Sequence, residues 1–249
     1  MTKFLYFLHG FCVCLFMPLL QDLSHGFAHL LFPQLCAACQ EPLMTAEDTV
    51  CLSCCHELPR TGYHHYPDNE AALRFAGRIP YRHVTALAHF VADGLLQYLL
   101  HQLKYKNRKQ IGTFLGKQLG IDLRQSNWIW EVDTILPVPL HPEKEAARGY
   151  NQARLIAEGL GSVVNKPVNT RSLQRIKATQ SQVKKSREER VANLKDAFAI
   201  RQEDLLKNRH ILLIDDVLTT GATLESAALA LLRLPGVQVS IATIGMATG

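Results

Sequence analysis

The strongest constraint on the fold is the stretch from Ile211 to Thr223, ILLIDDVLTTGAT. Four branched apolar residues in a row are typical of a buried strand, and Asp215 and Asp216 follow them directly. After the acids the chain loses most of its side-chain bulk before an apolar helical pattern begins. Ligands of parallel α/β sheets bind at the carboxyl ends of the strands, so this order of residues predicts a ligand site there.

The small residues after the two acids suit a phosphate group. They are Thr219, Thr220, Gly221, Ala222 and Thr223. Their backbone amides and three hydroxyls converge before a predicted helix N-terminus, whose dipole favours anions. Carboxylates are common partners of sugar hydroxyls, so the whole stretch predicts a site for ribose 5-phosphate. Acids beside a phosphate also predict Mg²⁺ wherever the ligand carries further phosphates.

The same residues resemble the phosphoribosyl pyrophosphate (PRPP) motif of type I phosphoribosyltransferases. In that family the two acids hold the ribose 2′- and 3′-hydroxyls, and the Thr-Thr-Gly-Ala-Thr loop holds the 5′-phosphate. The resemblance implies the first role for Asp215 and Asp216 and the second for residues 219–223.

Four of the seven cysteines are regularly spaced. Cys36 and Cys39 form one C-x2-C pair, Cys51 and Cys54 form another, and eleven residues separate the pairs. Two such turns present four thiolates to one tetrahedral zinc ion, and a closed four-thiolate set indicates a structural site. Disulfides and core cysteines are the alternatives, and the neighbours Cys55 and His56 make Cys54 the least secure ligand.

The remaining pattern predicts an α/β fold. Apolar strands alternate with helical periodicity from residue 84 onward, which predicts a mostly parallel sheet with helices on both faces. We expect three parts: an apolar or amphipathic N-terminal segment (residues 1–30), a zinc-ribbon module (31–60) and a phosphoribosyltransferase-like domain (80–249). A polar, histidine-rich linker joins the last two.

A second stretch, Leu136–Leu160, carries PVPLH followed by RGYNQA. With the cysteine module, the Leu-Lys-Tyr element at 103–105 and polar residues between 175 and 198, it resembles the ComF family of phosphoribosyltransferase-like proteins. The resemblance covers roughly residues 24 to 246. Its competence-associated members imply a role in natural transformation, the uptake of single-stranded DNA into the cytoplasm.

The PVPLH and RGYNQA segment supplies a predicted pyrophosphate loop. His141 and Arg148 can point at a diphosphate, the latter with a bidentate guanidinium. Asn151 can bind the phosphate or cap the helix that follows, and both roles stay open. Glu143 and Glu145 weaken the positive field expected here.

Basic residues crowd into two places, in a chain of net charge +5 and pI about 8.8. One is the cluster KYKNRK that begins at Lys104, and the other runs from Lys177 to Arg190. Each is either a solvated face or a nucleic-acid contact. The predicted mobile-loop or DNA-contacting residues are Arg175, Lys184, Lys185, Arg187, Arg190 and Lys104.

The first twenty residues, MTKFLYFLHGFCVCLFMPLL, form a nearly continuous apolar run. A signal segment, a weak membrane anchor and an early start codon are the three interpretations. Because the cysteine module needs reduced thiols, we favour a cytoplasmic protein without stable membrane insertion, either dissolved or associated with the inner face of the membrane.

Two functions from different classes follow. The first is a ComF-like protein that binds Mg-PRPP and works in DNA uptake, with PRPP, single-stranded DNA and other competence proteins as partners. The alternative is an active phosphoribosyltransferase that moves ribose 5-phosphate from PRPP to an acceptor, without any link to DNA. Fold alone does not decide between them.

Overall fold

The structure is a computed structural model that describes residues 33–176 and 197–247. The chain divides into two compact units, of which the first ends at Cys51 and the second begins at Leu52. None of the helices in the described ranges is long and apolar enough to cross a membrane.

The described part of the first unit is a tight turn. Leu35 and Pro42 form an antiparallel bridge, and the Cys36 N–H donates to the Glu41 carbonyl at 2.8 Å. Gln40 closes the turn in the left-handed region, with a φ of 65°. The turn therefore brings the residues on either side of the first cysteine pair together.

The second unit alternates helices and strands. Its helices are α1 (Leu52–His56), α2 (Glu70–Leu73), α3 (Leu95–Tyr105), α4 (Gln110–Leu123), α5 (Pro142–Arg148), α6 (Gln152–Val164) and α7 (Ala222–Leu232). Its strands are β1 (Val84–Phe90), β2 (Thr134–Pro137), β3 (Leu173–Arg175), β4 (Phe198–Ile200), β5 (His210–Leu218) and β6 (Gln238–Ala247). Short 3-10 helices cover Tyr63–His65, Asn127–Glu131 and Glu203–Leu205.

Four strands form a parallel sheet in the order β1-β6-β5-β2. Strands β3 and β4 form a separate antiparallel pair. The predicted α/β class with a mostly parallel sheet is thus confirmed. All four carboxyl ends of the main sheet lie at one edge, where the sequence places its ligand motifs.

Helices cover both faces of the sheet. On one face Leu136 and Leu213 join a buried cluster with Leu224 and Leu231 of α7. Ile135 precedes Leu136 and must point to the other face, because successive side chains in a strand alternate. There it lies against α6, which packs on β2 and β5.

Helices α4 and α6 approach each other closely, and glycine permits it. A Cβ on Gly116 would lie 2.0 Å from the Ile156 carbonyl oxygen, and a Cβ on Gly159 would lie 2.2 Å from that of Thr113. A side chain at either position would push the two helices apart. The glycines at every fourth position of α4, Gly112, Gly116 and Gly120, thus allow the close α4–α6 contact behind the sheet.

Two features differ from the sequence-based expectation. Strand β5 does not end at the acids, since Asp215 still pairs with Thr243 and the strand continues to Leu218. The histidine-rich segment is not a linker, because Phe75 and Ile79 within it are buried in the main core cluster. A few buried apolar residues fix this segment to the core. The prediction of a linker was based on the average polarity of the segment and was therefore wrong.

Candidate functional site

The two acids of β5 lie beyond the end of the neighbouring strand. Pro137, the last residue of β2, pairs with Ile214, so Asp215 and Asp216 have no partner in β2. Both side chains are partly buried. The Asp216 backbone N–H donates to Asp215 Oδ1 at 2.8 Å, which fixes the orientation of the Asp215 carboxylate.

A lysine from another element compensates the pair. Lys104 Nζ, in the last turn of α3, lies 2.8 Å from Asp216 Oδ2. Only 25% of the Lys104 side chain and 18% of the Asp216 side chain are exposed, so solvent weakens this ion pair less than a surface pair. The structure therefore places Lys104, predicted as a DNA or loop contact, inside the acid site.

Asp215 has an unusual protonation equilibrium. Burial, followed by the charge of Asp216, raises the pKa of Asp215 to about 7, although the Asp216 N–H, Lys104 and Arg175 act in the opposite direction. Arg175 belongs to β3, and burial lowers the pKa of its guanidinium while Asp215 raises it. At neutral pH Asp215 is therefore poised between its charged and neutral forms, and a bound cation would complete its ionisation.

The loop of small residues meets the N-terminus of α7, as the sequence predicts. Gly221 is the residue before the helix and has a φ of 78°, in the region that favours glycine. A Cβ there would also lie 3.0 Å from the Phe75 ring. Thr220 Oγ accepts the Ala222 N–H at 3.4 Å, while Thr219 and Thr220 are exposed. The loop therefore lies at the N-terminus of α7, and its first two threonines are open to solvent.

Arg78 is a part of this site that sequence reasoning missed. Its guanidinium donates to the Thr220 carbonyl at 3.0 Å and forms an ion pair with Glu225 of α7. It also donates to the Arg74 carbonyl at 2.7 Å. Arg78 and Thr220 are separated by 142 positions, so no local pattern could reveal this contact.

The predicted pyrophosphate segment surrounds α5. His141 is the residue before the helix, and its Nδ1 lies 3.7 Å from a Glu143 carboxylate oxygen. Arg148 ends the helix and its Cζ lies 5.7 Å from the centre of the Tyr105 ring. Tyr105 is the neighbour of Lys104, which binds Asp216. The last turn of α3 therefore contacts both Arg148 and the acid pair.

Asn151 has the capping role. Its Oδ1 accepts the Ala153 N–H at 2.9 Å at the start of α6, and its Nδ2 donates to the Val138 carbonyl at 3.0 Å. These bonds use both ends of the buried amide and tie α6 to the end of β2. Phosphate binding by Asn151 stays a prediction.

Four of the predicted loop or DNA residues lie outside the described ranges: Lys184, Lys185, Arg187 and Arg190. Arg175 lies just before that stretch, with its Cζ 5.6 Å from the centre of the Phe198 ring. Strands β3 and β4, which the sequence analysis did not predict, place Arg175 and Phe198 opposite each other.

The four predicted cysteines form a compact cluster. The sulfurs of Cys36, Cys39, Cys51 and Cys54 all lie within 4.8 Å of one another. The Sγ atoms of Cys39 and Cys51 are 3.7 Å apart, close to the roughly 3.8 Å that tetrahedral Zn–S bonds of about 2.3 Å require. The cluster can therefore hold one structural metal ion such as zinc.

Backbone N–H groups around Cys36 favour the thiolate form of its side chain. Burial raises the pKa of the Cys36 thiol, but hydrogen bonds from the backbone at Cys51, Cys39 and Ala38 lower it to about 7. The N–H groups of Cys51 and Ala38 lie 3.3 Å and 3.4 Å from its sulfur. Thiolate is the form that binds metal, so these contacts favour metal binding.

Comparisons with known proteins identify relatives of the chain. No family model matches the chain. It is 30% identical over 210 residues to the DNA utilization protein YhgH of Escherichia coli O157:H7, covering 83% of this chain and 88% of that protein. It is 31% identical over 156 residues to the competence protein F of Haemophilus influenzae, covering 61% of this chain and 67% of that protein.

Among solved structures, the chain is similar to the adenine phosphoribosyltransferase of Leishmania donovani. The TM-score is 0.37 and the sequence identity 14%, over 58% of this chain and 68% of that one. This is a likeness of fold alone.

Proposed function

The chain belongs to the ComF family, and from that premise we propose that it binds Mg-PRPP and serves the uptake and handling of single-stranded DNA in the cytoplasm during natural transformation. The names of its relatives, competence protein F and DNA utilization protein, support the connection with DNA. The PRPP part rests on the site itself.

One observation carries the PRPP assignment: the acid pair of β5 leads directly into a glycine-capped loop at the start of α7. Asp215 and Asp216 would accept the two ribose hydroxyls. The N–H groups and hydroxyls of residues 219–223 would hold the 5′-phosphate. One ligand with a diol at one end and a phosphate at the other matches both halves of the site.

The rest of the site suits a diphosphate. Arg148 and His141 would bind the pyrophosphate oxygens, and Arg148 is oriented by Tyr105 beside Lys104. Mg²⁺ would neutralise the phosphates next to the carboxylates, since it is held by carboxylates and phosphate oxygens together. The cysteine cluster would hold zinc as a structural ion, apart from this chemistry.

The test is isothermal titration of the protein with PRPP in the presence of Mg²⁺. We expect saturable binding by the wild type and a loss of at least about 100-fold in affinity for Asp215→Asn/Asp216→Asn, because two hydrogen-bonded charges are removed. Asp204→Asn, which changes an exposed acid in the 3-10 helix Glu203–Leu205, is the matched control and should bind as the wild type does. Equal affinity of the double variant and the control would overturn the ribose assignment.

Turnover is the second candidate function, and the link from Arg148 through α3 to the acid pair favours it. In that reaction an acceptor attacks the anomeric carbon, the bond to pyrophosphate breaks, and pyrophosphate leaves with the electron pair. Arg148 would stabilise the departing charge. Release of pyrophosphate that requires an acceptor and is lost in Arg148→Gln would establish it, and binding without release would leave the accessory role.

A further inference from the structure

Helix α3 exposes an aromatic stripe. Tyr98 is 46% exposed and Tyr105 is 66% exposed, and His101 between them is also exposed. The spacings of three and four residues place all three rings on one face of the helix. The opposite face, with Leu96, Leu99, Leu100 and Leu103, is buried. The stripe is therefore the solvent side of a well-packed helix and is not needed for its packing.

Two rings of this stripe, His101 and Tyr105, have side-chain contacts. The His101 and Tyr105 ring centres are 5.0 Å apart, and Arg148 lies over Tyr105 at 5.7 Å. Tyr98 and Tyr105 are separated by about 10 Å along the helix axis, given a rise of about 1.5 Å per residue. Two exposed rings at this distance can contact one extended strand at two points.

Positive charge surrounds the stripe. Lys106, Arg108 and Lys109 follow α3 directly, and Lys109 Nζ lies 5.1 Å from the centre of the Tyr150 ring. No acidic residue occurs between Gly94 and Ile121. Asp216, which contacts the last turn of α3, is paired with Lys104, and Arg148 over Tyr105 adds a further positive charge. The potential over the C-terminal half of α3 is thus positive.

We propose that this face, formed by Tyr98, His101 and Tyr105 with Lys106, Arg108 and Lys109, binds single-stranded nucleic acid. The bases stack on the two tyrosines, and the phosphates contact the three cations. Cations alone would bind any polyanion. Exposed aromatic rings add stacking, for which the bases of the partner must be unpaired. The inference extends the proposed handling of single-stranded DNA by naming the surface, which includes none of the basic residues between 177 and 190.

The face adjoins the acid site. Lys104 binds Asp216 while its neighbour Tyr105 faces solvent, so the two functions share the last turn of α3. Lys104 is consequently not counted among the phosphate contacts. A bound strand would lie beside the ribose site, and the two ligands can be measured separately.

The experiment is fluorescence anisotropy of the whole protein with a labelled 20-nucleotide oligothymidylate. Tyr98→Ala and Tyr105→Ala should each weaken binding about fivefold or more, and the double variant should weaken it further, since stacking of one base is worth about 1–3 kcal/mol. Tyr66→Ala is the matched control, because Tyr66 is 64% exposed and belongs to the segment before β1 and not to α3. It should bind as the wild type does.

An abasic strand of the same length and charge separates stacking from electrostatics. It should bind weakly and equally to the wild type and the tyrosine variants. Lys106→Gln/Arg108→Gln/Lys109→Gln should lower the salt dependence of binding by about two to three released counterions. Equal affinities of the double tyrosine variant and the Tyr66 control would overturn the proposal, as would equal affinities for abasic and normal strands or preference for duplex.

The outcome is independent of the PRPP assignment. Titration of Tyr98→Ala with Mg-PRPP should give wild-type affinity, because Tyr105 and not Tyr98 contacts Arg148, and this result also shows that the variant is folded. Oligonucleotide binding without PRPP binding would refute the proposed ribose site and leave this surface established. PRPP binding without oligonucleotide binding would refute the proposed nucleic-acid surface and support the ribose site.

Discussion

The cysteine cluster and the acid pair both concentrate negative charge, but they are completed in different ways. The cysteines lie within one short stretch, from Cys36 to Cys54, and their sulfurs are arranged for an added ion. The acids are compensated by the chain itself, through Lys104 of α3 and Arg175 of β3. Loss of the metal ion should therefore unfold the cysteine cluster as a whole. Removal of one compensating side chain from the acid pair should change stability and ligand affinity only in part.

The largest effect is expected at the cysteine cluster. Cys36→Ser removes a ligand whose sulfur also accepts two backbone N–H groups, so zinc and the local fold should be lost together. Structural zinc sites contribute on the order of 10 kcal/mol to folding. Metal analysis of protein purified under reducing conditions should fall from one zinc per chain to near zero, and limited proteolysis should cut the first unit.

Cys55→Ser is the matched control for this change. Cys55 follows the last ligand directly but contacts Gln118 and Arg60 instead of the cluster. It should keep one zinc per chain. Zinc lost from Cys55→Ser and kept in Cys36→Ser would show that the ligand set is wrong.

The second-largest effect concerns Asp215, whose buried charge lowers the free energy of unfolding at neutral pH. An unfolded aspartate titrates near 3.9, whereas Asp215 in the folded protein has a pKa of about 7. Between these values the folded state holds a proton that the unfolded state has released. The free energy of unfolding should therefore fall as pH rises from 4 to 7 and level off above 7.

Asp215→Asn removes the buried charge and with it the loss of stability at neutral pH. Denaturant unfolding should show the variant more stable than the wild type at pH 8, by on the order of 1–4 kcal/mol, and similar to it at pH 4. The same variant should lose PRPP affinity, so stability and binding change in opposite directions. A variant that is less stable than the wild type at pH 8 would mean that Asp215 is not strained by burial.

These two sites also differ in how far the sequence predicts them. The cysteine cluster and the loop 219–223 depend on spacings of a few residues, and the structure places both as predicted. Lys104 was not assigned to the acid site, and Arg78 was not assigned to the loop 219–223, because each reaches its partner from a distant element. Long-range contacts of this kind depend on the packing of α2 and α3 against the sheet, which local periodicity does not contain.

The extent of β5 shows the same limit. The change from apolar to acidic residues after Ile214 suggests the end of a strand, yet β6 continues alongside and pairs with Leu218. The pattern does mark a real boundary, because the neighbour β2 stops opposite Ile214. Polarity therefore located the edge of the sheet correctly, although the strand itself runs on.

A smaller effect should come from Lys104, whose removal leaves Asp216 uncompensated. Lys104→Gln should lower stability at pH 8 by about 1–3 kcal/mol, since the ion pair is mostly buried, and less at pH 4. The same change should raise the pKa of Asp215 above 7, because Lys104 lowers it in the wild type. The midpoint of the pH dependence of PRPP binding should therefore move upward.

Lys106→Gln provides the comparison for Lys104, since Lys106 lies two residues further along and is exposed. It should leave both the stability and the midpoint unchanged. A midpoint that stays in place in Lys104→Gln would show that Arg175 and the Asp216 N–H set the charge of Asp215 without the lysine.

The smallest effect should come from Arg78, which shapes the loop without touching the acids. Its ion pair with Glu225 is partly exposed, so Arg78→Gln should change the free energy of unfolding by less than about 1 kcal/mol. The loss of the bond to the Thr220 carbonyl should still loosen the phosphate loop and weaken PRPP binding about two- to fivefold. Arg124→Gln, an exposed arginine at the end of α4, should change neither quantity. If Arg78→Gln binds PRPP as tightly as Arg124→Gln, then Gly221 and the Phe75 ring hold the loop by themselves, and this site would be as locally determined as the cysteine cluster.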